Sequence, residues 1–119
     1  MFLIAGSVIG FLSVAMGAFG AHALKGTFDE YSLGVYKTAV EYQFWHALAL
    51  LVVGVLERTS SSESLKISGW SFILGVIIFS GSLYVLSFTK VKLWGAVTPF
   101  GGVAFMIGWI FLAYHAWKN

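Results

Sequence analysis

Apolar residues form four long runs along this chain, separated by short polar segments. The runs are Phe2–Leu24, Val40–Leu56, Ile67–Phe88 and Leu93–Trp117. Each run is near the ~20 residues that a helix needs to cross a hydrocarbon core of ~30 Å, and a helix satisfies its own backbone groups where lipid cannot. Because the connections are short, the pattern predicts one domain, an all-α antiparallel bundle of four transmembrane helices.

The longest connection, Lys25–Lys37, is predicted to contain a short helix lying in the membrane interface. Thr27 and Glu30 fit a capping box with Thr27 as the N-cap, and several aromatic residues follow. This helix is expected to run into the second span with a break near Gly34. An ordinary loop rich in aromatic residues is the alternative.

The composition places the protein in the membrane. Of 119 residues, 59% are hydrophobic and 10% are charged, whereas soluble domains carry about 25% charged residues. A soluble enzyme is therefore excluded. The net charge is +2 with the basic residues scattered singly, so we predict the lipid bilayer as partner and no nucleic acid. The expected location is a cell membrane, crossed several times.

Small residues recur on one side of two predicted spans. Such spacing lets two helices approach closely, so we assign helix packing to five glycines, namely Gly6, Gly10, Gly17, Gly101 and Gly108. The spacing fits packing within the bundle and packing between copies equally, so a homo-oligomer is one possible assembly.

Polar side chains collect at one end of the predicted bundle. An up-down-up-down path brings the end of spans one and three beside the start of spans two and four. The predicted polar cavity consists of His22, Gln43, His46, Ser80, Tyr84 and Thr98. Polar groups within a membrane are costly and are therefore candidates for function. Lys37 and Glu41, four residues apart on one helix face, are predicted to form an ion pair at its rim.

Three uses fit this cavity. In the first, the protein binds or transports a small molecule, an ion or a lipid, and His22 and His46 face each other across the cavity. Histidine suits this use because its side chain titrates most easily near neutral pH. In the second, the polar residues only hold helices together by hydrogen bonds, and the glycines drive oligomerisation. In the third, His22 and His46 ligate a haem or a metal.

The sequence contains no motif that assigns a cofactor, a metal or a reaction. The histidines lack the spacing typical of metal sites, so no metal ligands are predicted and the cofactor remains open. No nucleophile, base and orienting group fall into a recognisable pattern. No catalytic residue is therefore predicted, and a non-enzymatic function is favoured.

Four motifs resemble those of a known family. They are Gly17–Leu24, Thr38–Leu50, Gly81–Tyr84 and Thr98–Gly102, and they are similar to the YgdD-like small integral membrane proteins, the bacterial domain-of-unknown-function family 423. The resemblance covers nearly the whole chain. It implies a multi-pass protein of the bacterial plasma membrane and brings no established activity.

Basic residues do not decide the orientation in the membrane. One side of the predicted bundle carries Lys25, Lys37, Lys90 and Lys92, and the other carries Arg58, Lys66, Lys118 and the N-terminus. The positive-inside rule needs an excess on one side, so both orientations are open.

Overall fold

The computed structural model describes residues 1–119 as four long helices without strands. The helices are α1 (Phe2–Leu24), α2 (Glu30–Thr59), α3 (Glu63–Thr89) and α4 (Leu93–Lys118). Each is long and apolar enough to cross a membrane. The prediction of an all-α protein with four transmembrane helices is confirmed, and the longest dimension, 48 Å, matches a bilayer with its headgroups, about 40–45 Å thick.

Two of the helices change from α to π geometry along their length. Gly20–Leu24 forms the last turn of α1, and Val76–Ser80 lies in the middle of α3. A π-turn closes its hydrogen bonds over five residues instead of four. The side chains beyond each π-turn therefore point in other directions than regular α-helical spacing predicts.

Helix α2 begins ten residues before the apolar run that predicted it. Its N-cap is Asp29, whose carboxylate accepts a hydrogen bond from the Ser32 backbone N–H at 2.8 Å. Thr27 instead donates to the Ala23 carbonyl at 3.3 Å. The prediction of a separate interfacial helix capped by Thr27 was therefore wrong.

The expected break near Gly34 is also absent, because α2 is continuous from Glu30. One glycine costs a helix only about 1 kcal/mol, which is too little to break a helix that packs against its neighbours. The segment between the first two spans is thus helical, as predicted, but it is the first part of α2.

Contacts between the connections confirm the up-down-up-down path. At one end of the bundle, the Lys90 ammonium lies 3.2 Å from the Asp29 carboxylate and joins the α1–α2 and α3–α4 connections. At the opposite end, the Ser62 hydroxyl lies 2.8 Å from Nδ1 of His115. We call these the Asp29–Lys90 end and the Ser62–His115 end.

The helices pack in chain order, with α1 on α2, α2 on α3 and α3 on α4. The apolar core lies between them and includes Phe2, Leu50, Val53, Leu65, Phe72 and Phe105. A Cβ on Gly6 would lie 2.9 Å from the Ala47 carbonyl oxygen, and a Cβ on Gly101 would meet the Phe79 backbone. Only glycine permits these two approaches.

Of the other three predicted packing glycines, Gly108 is also tightly packed, whereas Gly10 and Gly17 have ordinary surroundings. A Cβ on Gly108 would press against the Phe72 ring at 2.6 Å, whereas one on Gly10 or Gly17 would find its nearest neighbour at 3.8 or 3.5 Å. Contact between copies through the α1 glycines stays a prediction.

Candidate functional site

Gln43 on α2 connects three helices by its side-chain amide. Its Nε2 donates to the Ile9 carbonyl of α1 at 3.1 Å, and its Oε1 accepts from the Tyr84 hydroxyl of α3 at 2.5 Å. Nearby, Tyr36 donates to the Met16 carbonyl of α1. Both predicted residues, Gln43 and Tyr84, therefore lie together, with their hydrogen bonds made inside the protein.

The predicted serine and threonine also bond within the bundle. Ser80, at the end of the π-turn of α3, donates to the Ala39 carbonyl of α2 at 2.8 Å. The Thr98 hydroxyl of α4 lies 2.6 Å from the Ser82 hydroxyl of α3. Each pair joins two helices, and a hydroxyl that is already bonded in this way has less to offer a ligand.

His46 is buried between α2 and α4 with both ring nitrogens engaged. Nδ1 lies 2.7 Å from the Tyr42 carbonyl, and Nε2 lies 3.0 Å from the Trp109 indole nitrogen. A carbonyl only accepts and an indole N–H only donates, so His46 is neutral here with its proton on Nδ1. Its ring stacks on Phe105 with centroids 3.6 Å apart.

His22 does not face His46, so the predicted histidine pair is wrong. His22 is exposed in the π-turn that ends α1, and no hydrogen bond holds its ring. The prediction placed both histidines at one end of the bundle. Tyr36 packs beside Gly20, and Ala47 packs beside Gly10. His46 therefore lies at the level of Gly10, about 18 Å along α1 from His22. A haem or metal held between these two histidines loses its geometric basis, as does a shared proton.

Lys37 and Glu41 form no ion pair, which corrects the predicted rim pair. The ion pairs of the chain are Lys90 with Asp29 and Lys66 with Glu63. Lys37 and Glu41 are both exposed and border a cleft between α1 and α2. A lysine that precedes a glutamate by four residues is the less favourable order on a helix.

A larger groove opens on the other side of α2, between α2 and α4. We call it the aromatic groove; it has a volume of about 540 Å³. Its lining consists of Tyr42, Trp45, His46, Phe79, Gly102, Phe105, Met106 and Trp109. Five aromatic side chains and one imidazole thus surround a single space.

Comparison with known proteins now gives the family. A family profile described as "Protein of unknown function (DUF423)" matches residues 16–102. The chain belongs to the DUF423 family. The resemblance seen in the four motifs is thereby confirmed.

Several relatives match this DUF423 protein over nearly their whole length. One UPF0382 membrane protein of Staphylococcus aureus strain bovine RF122 is 44% identical over 99% of this chain and 96% of its own. The UPF0382 membrane protein YwdK of Bacillus subtilis is 44% identical over 99% of this chain and 97% of its own. No solved structure matches. The DUF423 chain is thus a multi-pass membrane protein of a bacterial type.

Sequence reasoning missed Trp109 and the polar contacts at the Ser62–His115 end. Trp109 follows no polar motif, and only the tertiary fold brings this side chain of α4 to His46 on α2. His115 is buried and bonded to Ser62, the N-cap of α3. The serines of the connection between α2 and α3 were a usable signal for such a cap. The DUF423 match at residues 16–102 includes His46 but neither Trp109 nor His115.

Proposed function

We propose that this DUF423 protein binds a lipophilic small molecule of the bilayer in the aromatic groove. The supporting observation is the groove itself, with a volume of about 540 Å³ and five aromatic side chains in its wall. Ligand sites are typically 300–1,000 Å³ and mostly apolar, with a few polar groups that fix orientation.

The depth of the groove supports a ligand that dissolves in lipid. Its α4 wall, Gly102–Trp109, lies near the middle of a helix that runs from Leu93 to Lys118. The α2 wall, Tyr42–His46, is likewise well inside Glu30–Thr59. A groove at this depth faces hydrocarbon, so the ligand enters sideways from the bilayer.

The chemistry of the wall favours a flat ring with one or two acceptor oxygens. Aromatic faces prefer stacked or edge-to-face partners. The Tyr42 hydroxyl and the Trp45 indole N–H have no hydrogen-bond partner in the protein, and both residues border the groove. They are free to donate to a ligand, whereas His46 is occupied by Trp109.

The second candidate function is structural. It is favoured by the predicted polar residues of the bundle, because Gln43, Ser80 and Thr98 each form a hydrogen bond to another helix. In that case the polar residues stabilise the fold, and the protein acts through contacts with other membrane proteins.

The test compares two glycine-to-leucine variants on α4. Gly102 lines the groove, and a Cβ there would lie 3.9 Å from the Phe79 ring, so Gly102→Leu fills the groove without a backbone clash. Gly95 is the matched control, with its nearest neighbour at 3.7 Å. Decylubiquinone serves as a flat-ring probe, and its quenching of tryptophan fluorescence is measured in nanodiscs.

We expect saturable quenching in the wild type and in Gly95→Leu, because Trp45 and Trp109 border the site. Gly102→Leu should leave only the linear quenching of a probe dissolved in lipid. Mass spectrometry of molecules that co-purify with each variant identifies the natural ligand. Equal quenching by all three proteins would reject binding in the groove and favour the structural function.

A further inference from the structure

We propose a second site, the α1–α2 cleft, which binds a phospholipid with an anionic headgroup. The cleft has two adjoining parts that share Gly20, Ala21, Leu33 and Lys37. The outer part, about 210 Å³, is bordered by Lys25 and Lys37, and the inner part, about 180 Å³, continues to Gly17 and Val40. The site is separate from the aromatic groove and does not depend on the proposed function.

Two lysines without ionic partners make the mouth of the cleft positively charged. Lys25 and Lys37 are both exposed, and neither takes part in an ion pair or a side-chain hydrogen bond. They belong to different helical segments, since Lys25 follows the end of α1 and Lys37 lies on α2, and they meet only at this cleft. Two unpaired ammonium groups around one depression are complementary to a phosphate.

The cleft extends along α1 from the end of the helix towards its middle. Lys25 comes directly after the last residue of α1, at the Asp29–Lys90 end. Gly17 lies eight residues before Lys25 in the chain, or about 12 Å deeper along the axis of α1. The cleft therefore runs from headgroup depth into the acyl region, and its polarity changes in the same order as that of a phospholipid.

The shape of the inner part suits an acyl chain. On the α1 side, the wall consists of small residues, Gly17, Gly20 and Ala21, which leave space for an occupant. A Cβ added to Gly17 would lie 3.5 Å from its nearest neighbour, Val40, so a carbon atom fits there. The ring of Tyr36 closes the floor, and its hydroxyl is bonded to the Met16 carbonyl. The surface of the inner part is thus mostly apolar, with Lys37 and Glu41 as the charged residues that border it.

Glu41 limits where an anion can bind in the cleft. It borders the inner part, one helical turn beyond Lys37, and it is exposed without an ionic partner. A carboxylate at that depth repels an anion placed between the helices and leaves the outer position, beside the two lysines, as the favourable one. Glu41 therefore opposes a deeply bound fatty acid and is compatible with a phosphate at the mouth.

The experiment measures lipid retention by native mass spectrometry of the full chain in detergent. The probes are phosphatidylglycerol and phosphatidylcholine with identical acyl chains. We compare wild type, Lys25→Gln/Lys37→Gln, and the control Lys92→Gln/Lys118→Gln, which removes the same charge away from the cleft. One basic residue near an anionic headgroup contributes about fivefold in affinity, so the cleft variant should bind phosphatidylglycerol about 25-fold more weakly than wild type.

Further variants separate the parts of the site. Gly17→Leu fills the inner part and should weaken phosphatidylglycerol binding with both lysines intact, whereas Gly10→Leu, with its nearest neighbour at 3.8 Å, should not. Glu41→Gln should leave binding equal or stronger. Circular dichroism of every variant confirms that the helices are retained.

Three results would overturn the proposal. The first is equal retention of phosphatidylglycerol and phosphatidylcholine by the wild type. The second is the same loss of binding in the lysine control as in the cleft variant. The third is displacement of phosphatidylglycerol by inorganic phosphate, which would identify the site as one for a soluble anion.

Discussion

At the scale of residues, Gln43 is the side chain that joins the most helices. Its amide bonds to α1 through the Ile9 carbonyl and to α3 through Tyr84. The Ile9 carbonyl also accepts from the Ser13 hydroxyl at 2.8 Å, so it keeps one partner when Gln43 is replaced. The Tyr84 hydroxyl has no second partner, and its interaction with Gln43 can therefore be isolated by mutation.

We expect Tyr84→Phe to lower the free energy of unfolding by about 0.6 kcal/mol, the average for hydrogen bonds between membrane helices, and by at most about 1.7 kcal/mol. Gln43→Leu should cost more, because it also removes the bond to Ile9 and leaves the Tyr84 hydroxyl unpaired. The double variant should be more stable than the sum of the single losses predicts, which is measured by unfolding in bicelles as a double-mutant cycle.

Tyr31→Phe is the control for that cycle, since Tyr31 is exposed and makes no hydrogen bond. It should change the unfolding free energy by less than about 0.5 kcal/mol. Strict additivity of the Gln43 and Tyr84 variants would contradict the bond between them.

How far the sequence predicts the site depends on the residue. Gln43, Ser80 and Tyr84 were predicted to lie together because an up-down path brings the start of span two beside the end of span three. In the structure Tyr84 bonds to Gln43, and Ser80 bonds to Ala39, one helical turn before Gln43. His22 was misplaced because the end of α1 lies beside Tyr36, near the start of α2, whereas His46 lies deeper, at the level of Gly10. Trp109 has no polar neighbour in the sequence, so its bond to His46 follows only from tertiary packing.

At the scale of elements, the ends of the helices were harder to predict than the helices themselves. Hydropathy located all four spans, because crossing the hydrocarbon demands about 20 apolar residues. It placed the start of α2 at Val40, whereas the helix begins at Glu30. Beyond the hydrocarbon, caps and contacts between loops decide where a helix ends, and apolar runs carry no information about them.

The Asp29 carboxylate is such a cap, and it should make stability depend on pH. Its bonds to the Ser32 N–H and to Lys90 lower the pKa of Asp29 below its usual range, which is about 3.9 for an unfolded chain. A lowered pKa means that the stabilisation is complete above the unfolded pKa and is lost as the pH falls through the folded one. The wild type should therefore melt at lower temperatures below about pH 4.

Asp29→Asn isolates this effect. Asparagine still caps a helix but does not titrate and does not pair with Lys90. We expect its melting temperature to be lower than that of the wild type at neutral pH and to change less in acid. Glu30→Gln, at the next position, is the control and should keep the acid response of the wild type. An equally strong acid response in Asp29→Asn would assign the transition to other carboxyl groups.

At the scale of the whole molecule, the outer helices face lipid over most of their surface. In their most apolar stretches, 17% of the α1 residues and 22% of the α4 residues are buried, against 44% for both α2 and α3. The two central helices therefore carry the core, while α1 and α4 each form one wall of a lateral opening. Both proposed sites lie at these openings, where a ligand can reach the protein from the bilayer.

The path of the chain predicts which connections share a side of the membrane. The chain has no cysteine, so single cysteines can report each connection separately. We choose Gly26→Cys, Val91→Cys and Ser61→Cys, all at exposed positions. With a membrane-impermeant maleimide added to sealed vesicles, positions 26 and 91 should be labelled to the same extent, because the Asp29–Lys90 contact holds their connections together.

Position 61 should be labelled in the fraction of chains in which positions 26 and 91 are protected, since it lies at the opposite end, beside the Ser62–His115 bond. Ile110→Cys, on the lipid-facing surface of α4, is the control and should react only after the membrane is dissolved. The basic residues are nearly balanced between the two sides, so the chain can insert in both orientations. A mixture of equal parts would label each loop position to about half, and positions 26 and 91 would still be labelled equally. Different labelling at those two positions would therefore contradict the four-span path in either orientation.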